Sequence, residues 1–170
     1  LRIASFQVTN HEFGLIIIVP NLISGFAPDH TPPRRFPPQE SEGDPVEAIG
    51  ISVPGISRRA TGTVWAPNIP VWDDYPLLRD VKTVTGDIPV IIESDRSCYI
   101  SGEIWKGNAR GCRDAVFLAV GTGIGAGITV NGELLHGAHD IAGAIGWMAL
   151  SRPFRSKYTI CGNFEYFASG

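Results

Sequence analysis

The sequence predicts an α/β fold, with α+β as the neighbouring class. Three observations carry that expectation. Apolar runs of strand length recur at residues 15–19, 48–53, 88–92 and 115–120, each stopped by proline, glycine or an acidic residue. Segments with helical spacing, 73–84 and 97–105, stand between the later runs. After the last run come glycines and β-branched residues that end at Asn131-Gly132, a hairpin signature.

Taken in order, residues 1–19 read as two strands joined by a polar turn at Asn10, His11 and Glu12, and Pro20 stops the second. Residues 27–46, rich in proline and charge, read as an exposed irregular connection. Residues 48–53 form a strand closed by Pro54-Gly55, and 61–65 a short strand after a turn at Gly62. Residues 73–84 fit a short helix, Pro76 being tolerated in its first turn. A buried strand over 88–92 ends at Glu93, Ser94 and Asp95, and Ile100, Ile104 and Trp105 mark one face of the helix that follows. The strand at 115–120 then leads through a glycine loop to a second strand, the Asn131-Gly132 turn and a third strand. No internal repeat is visible.

A hydrophobic fraction of 44%, a charged fraction of 18% and a net charge of −3 suit a globular protein. No basic run is present, so nucleic acid is a poor partner. The longest apolar run is far too short to cross a bilayer, and no signal-peptide pattern precedes it, so no membrane partner is expected. The cysteines Cys98, Cys112 and Cys161 are odd in number and lack C-x-x-C spacing, which fits a reducing cytoplasm better than a disulfide framework.

The glycine loop is the most informative stretch. Gly121, Thr122, Gly123 and Gly125 follow an apolar strand, and glycine lets backbone amides come close to a ligand. Successive exposed amides suit phosphate, and the Thr122 hydroxyl adds a donor. Gly121, Gly123 and Ala126 also fit G-x-G-x-x-[GA], but a dinucleotide site needs a helix at that point and a strand follows here. A P-loop is excluded, because no Gly-Lys-Ser/Thr is present. The bland alternative is a glycine hairpin that serves only the fold.

Asp95 stands where a strand gives way to a helix. There the free N–H groups and the helix dipole favour the carboxylate, which is expected to stay ionised at neutral pH. It reads either as a simple cap or as a general base at the end of a sheet strand. A base and a phosphate loop together suggest phosphoryl transfer to a hydroxyl, with Mg²⁺ neutralising the phosphates.

Several pieces, in this order and spacing over about residues 49–170, resemble the ROK family of bacterial sugar kinases and repressors. They are Gly50-Ile51-Ser52-Val53-Pro54-Gly55, Gly62-Thr63-Val64-Trp65-Ala66-Pro67-Asn68-Ile69-Pro70, Glu93-Ser94-Asp95, Gly102-Glu103, the glycine loop, Ala142-Gly143-Ala144-Ile145-Gly146-Trp147-Met148, and the segment from Gly162 to Gly170. The resemblance implies an actin-like, ribonuclease-H-like ATPase fold with two lobes around a cleft, incomplete here relative to the family. It implies an N-terminal lobe of residues 1–92, divergent over 1–48, and the start of a C-terminal lobe at 93–170. It also implies a glucokinase-like activity that uses ATP and Mg²⁺ to phosphorylate a hexose or amino-hexose. The partners would be a small-molecule sugar and a nucleotide, in the cytoplasm, with homodimers common in the family.

By the same resemblance Asp95 is the catalytic base, and Ser94 replaces the family's neighbouring Asn. Gly121, Thr122 and Gly123, with Gly125 in the same loop, match the second phosphate motif. Glu165 matches a sugar-contacting Glu, and Asn68 lies in a segment that reaches the sugar. Four departures stand out. Ala144 replaces a sugar-binding Glu. Trp147 replaces a His that contacts sugar and zinc, and it is expected to fill the core rather than stack on a sugar. The zinc cysteines fall on or near Ser156, Tyr158 and Asn163, so structural zinc is not expected. The first phosphate motif, Asp-x-Gly-Gly-Thr, is absent from 1–48, and the chain stops at Gly170 where family members continue, as in a truncated or remodelled member. His136, His139 and Asp140 read as solvated rather than as a metal site. Three readings follow: a sugar kinase, a non-catalytic sugar-binding or regulatory relative, and a degenerate fragment marked by an unfilled apolar face.

Overall fold

The computed structural model describes residues 6–10, 13–18, 48–67 and 69–170, the first two stretches as backbone. The proline-rich segment 27–46 and Asn68 lie outside the described residues. The chain divides into two compact units, Leu1–Ser94 and Asp95–Gly170.

In the first unit β1 (Phe6–Asn10) and β2 (Phe13–Ile18) pair antiparallel, and β3 (Ala48–Val53) runs parallel to β2. A short hairpin follows, β4 (Ile56–Arg58) with β5 (Thr63–Trp65). No sequence pattern predicts β4, because three residues are too few to show a period. Gly55 makes its entry at φ +122°, where an added Cβ would strike the Trp65 carbonyl oxygen. Helix α1 (Leu77–Thr85) begins after Pro76, later than the expected 73–84. The reason is that Tyr75 pairs with Val64, its amide donating to the Val64 carbonyl at 2.8 Å, so the residues before Pro76 extend the hairpin. Strand β6 (Val90–Ser94) adds parallel to β3. It lies two residues later than expected because β3 continues to Val53, which pairs with Ser94. The sheet order is β1-β2-β3-β6. Ile49, Ile51, Val53, Val64, Ala66, Trp72, Leu77 and Ile92 form the core, with the Trp72 ring stacked on Tyr75 at 5.0 Å.

The second unit starts with helix α2 (Asp95–Trp105), two residues before its expected start. Strands β7 (Ala115–Val120), β8 (Ile124–Val130) and β9 (Glu133–Leu134) form an antiparallel meander in that order. Asn131 at φ 56° and Gly132 at φ 87° make the turn between β8 and β9, as the dipeptide predicts. Helix α2 covers one face of β7 and β8, with Tyr99 stacked on Phe117 at 5.3 Å. On β7, Val116, Leu118 and Val120 are exposed. Short 3-10 turns at Ile145–Trp147 and Ser156–Thr159 and a helix α3 (Asn163–Ala168) complete the unit.

Candidate functional site

Val120 and Ile124 are the last paired residues of β7 and β8, so Gly121, Thr122 and Gly123 form the hairpin tip. The Gly121 amide is used inside the turn, donating to the Gly123 carbonyl at 3.0 Å. The Thr122 and Gly123 amides and the Thr122 hydroxyl make no hydrogen bond with another described residue. All three tip residues are exposed, and space around Gly121 is open. The tip thus presents two amides and a hydroxyl, a donor set that suits an anion.

Behind the tip, glycines let α2 approach β8. A Cβ on Gly125 would lie 2.6 Å from Arg96 Cδ, and one on Gly127 would run into the Arg96 carbonyl and 2.8 Å from Ile100. Gly125 is therefore a packing position as well as a member of the loop motif. Because Arg96 meets Gly125 and Ile100 meets Gly127, the first turn of α2 lies at the same end of β8 as the tip. That turn carries Asp95, whose Oδ1 accepts the Arg96 amide at 2.8 Å.

Burial raises the Asp95 pKa above the usual carboxylate value, and the Arg96 amide and the Arg96 charge only partly oppose it. This corrects the expectation that the helix terminus governs the group: desolvation of the charged form outweighs the N–H groups. Burial likewise lowers the Arg96 pKa, against the favourable Asp95 charge. A carboxyl moved toward neutrality from below is better matched to proton transfer at working pH than an ordinary one.

Helix α3 also reaches the tip. Glu165 Oε2 accepts the Ile124 amide at 2.7 Å, and the Gly170 amide donates to the Gly121 carbonyl at 2.8 Å. A Cβ on Gly146 would lie 2.6 Å from Glu165 Oε2, and one on Gly123 would lie 3.2 Å from it. The start of α3 is itself fixed: the Phe164 amide donates to Met148 and the Leu150 amide to Asn163 Oδ1, at 3.1 and 2.7 Å. Gly143, at φ +81°, accepts the Ala126 amide at 2.8 Å.

Of the other sequence-derived positions, Ser94 is the buried last residue of β6 in the first unit. Trp147 is 42% exposed, which corrects its placement in the core. It follows Gly146, whose close approach to Glu165 and Ile124 leaves the indole outside. The positions that the resemblance links to zinc do not fit the metal. The Trp147 indole offers no lone pair, and Asn163 Oδ1 already accepts Leu150. The buried Tyr158 ring packs with Phe154, Tyr166 and Phe167 at 5.4, 5.2 and 5.6 Å. Among the described residues no group of three His, Cys, Asp or Glu side chains is placed to hold a metal. No helix among them is long and apolar enough to cross a membrane.

Sequence patterns assign no role to Arg96 and name Gly143 and Asn163 only as motif positions. Gly143 carried a signal, as one of three small residues in a row that let backbones meet. Arg96 and Asn163 carried none, because their roles depend on which strand and loop they face.

Comparison with known proteins supplies the context. The ROK family profile matches residues 37–170. A glucokinase of Halalkalibacterium halodurans is 34% identical over 81% of this chain and 40% of its own length. A putative xylose repressor of Caldicellulosiruptor is 40% identical over 71% of this chain and 30% of its own. The crystal structure of a ROK family glucokinase from Streptomyces griseus with glucose and AMPPNP superposes with a TM-score of 0.63 at 32% identity, covering 76% of this chain and 41% of that one. The chain therefore spans well under half the length of these relatives. It belongs to the ROK family and carries part of that family's actin-like ATPase fold.

Proposed function

We propose that the protein acts in ATP-dependent phosphorylation of a hexose or amino-hexose hydroxyl, with Asp95 as general base. The observation that carries this reading is the shared position of two chemistries. The first turn of α2, which bears Asp95, packs on Gly125 two residues from the donor-rich tip at Thr122 and Gly123.

In this mechanism the Thr122 and Gly123 amides and the Thr122 hydroxyl hold the terminal phosphates of ATP. Asp95 accepts the proton of the attacking sugar hydroxyl as its oxygen bonds to the γ-phosphorus and the bond to ADP breaks. Mg²⁺, when bound, neutralises charge on the phosphates. Little covalent chemistry falls to the protein, so the effect rests on positioning and electrostatics. Ser94, Glu165 and Asn68 are assigned to the sugar by the resemblance. A cytoplasmic location suits these substrates.

A second reading, a non-catalytic sugar-binding regulator, is favoured by Ala144 and Trp147, where the family's sugar ligands are replaced. The similarity to a xylose repressor points the same way. A third reading, a degenerate fragment, binds neither ligand. Calorimetry with a panel of hexoses, with and without Mg-ATP, separates them. The kinase reading expects Mg-ATP binding and phosphate transfer; sugar binding without nucleotide binding supports the regulator, and binding of neither supports the fragment.

A further inference from the structure

The hairpin tip is held at both of its ends by residues of one short segment. On the β8 side Glu165 Oε2 takes the Ile124 amide at 2.7 Å, and on the β7 side the Gly170 amide meets the Gly121 carbonyl at 2.8 Å. The first contact exists only because residues 123 and 146 have no side chain: a Cβ at either would crowd the carboxylate. The segment that carries Glu165 is anchored in turn to Met148 and Leu150, next to the stretch 142–148. A carboxylate that takes a backbone amide makes a charge-assisted bond, roughly twice as strong as a neutral one. It also fixes the peptide plane between Gly123 and Ile124, and so constrains the Gly123 amide one bond further along.

We propose that Glu165 is a positioning residue for the glycine hairpin: through Oε2 on the Ile124 amide it sets the direction of the Thr122 and Gly123 donors. Its other oxygen, Oε1, makes no hydrogen bond with a described residue and is left for a sugar hydroxyl. One carboxylate then touches both substrates' sites, and a hydroxyl that bonds Oε1 orders the loop that holds the phosphates. This coupling rests on the kinase reading; the brace itself does not.

Two variants test it, Glu165→Gln, which keeps an acceptor oxygen, and Glu165→Ala, which keeps none. Hydrogen exchange over residues 121–127 reads the brace without any ligand. The Ile124 amide is expected to exchange about ten- to a hundredfold faster in Glu165→Ala and much less so in Glu165→Gln. Wild-type exchange at Ile124 in Glu165→Ala overturns the brace; if that variant does not fold, a wild-type Ile124 amide that exchanges as fast as the Thr122 amide, which has no partner among the described residues, overturns it instead. Steady-state kinetics then read the coupling. The KM for Mg-ATP is expected to rise about tenfold in Glu165→Ala and to be largely rescued in Glu165→Gln. A rise in the sugar KM alone overturns the coupling. A wild type without turnover removes the kinase reading and with it the coupling, while the exchange result still decides the brace.

Discussion

In the unit Leu1–Ser94, side chains fill the core: Ile49, Ile51, Val53, Val64, Leu77 and Ile92 pack from β3, β5, β6 and α1, with Trp72 from the connection between β5 and α1. In the unit Asp95–Gly170, strand β8 is approached closely at positions that have no side chain. Gly125 and Gly127 meet Arg96, and Gly143 meets Ala126. A carboxylate on Ile124 closes the end of that strand. The first kind of packing tolerates a swap of similar volume and suffers from a lost one. The second suffers from a single added carbon. An arrangement that brings Asp95 and the glycine tip to one strand end requires the second kind, because side chains there would keep the elements apart.

The sharpest way to break the comparison is to trade the two kinds of change. Trp72→Ala is expected to cost about 3–5 kcal/mol in urea unfolding followed by circular dichroism. Gly143→Ala, which adds one methyl at a positive φ against a backbone oxygen, is expected to cost about 2–4 kcal/mol. A near-neutral Gly143→Ala would show that β8 can move away and that the glycines are not needed.

A smaller effect of opposite sign sharpens it. Asp95 holds its proton more tightly in the folded chain than in the unfolded one, because burial disfavours the charge. Its contribution therefore falls as pH rises from the ordinary carboxylate value through the raised folded value. Asp95→Asn removes that loss, so its melting temperature should exceed that of the wild type at neutral pH, with the gap closing on acidification. Equal melting curves at all pH values would count against a desolvated carboxyl.

These differences also decide what the sequence could convey. Period and punctuation were enough for β3, β7, β8 and the Asn131-Gly132 turn, because those elements follow from local rules. Helix α1 started late because Tyr75 pairs with Val64, a tertiary contact that local helix preference cannot anticipate. Asp95 and the glycine tip were legible as residue types in a known order. Their common strand end was not, since it follows from Arg96 fitting on Gly125. Nor was the direction of the Asp95 shift, which burial decides. The bond from Glu165 to Ile124 spans much of the second unit, and no spacing rule connects those residues.

Turnover of purified protein with Mg-ATP and a hexose panel, compared between wild type and Asp95→Asn, tests the phosphoryl-transfer account most directly. The account predicts sugar-dependent ADP release that falls about 10²–10⁴-fold in the variant while Mg-ATP affinity is retained. Equal release from both proteins would contradict it.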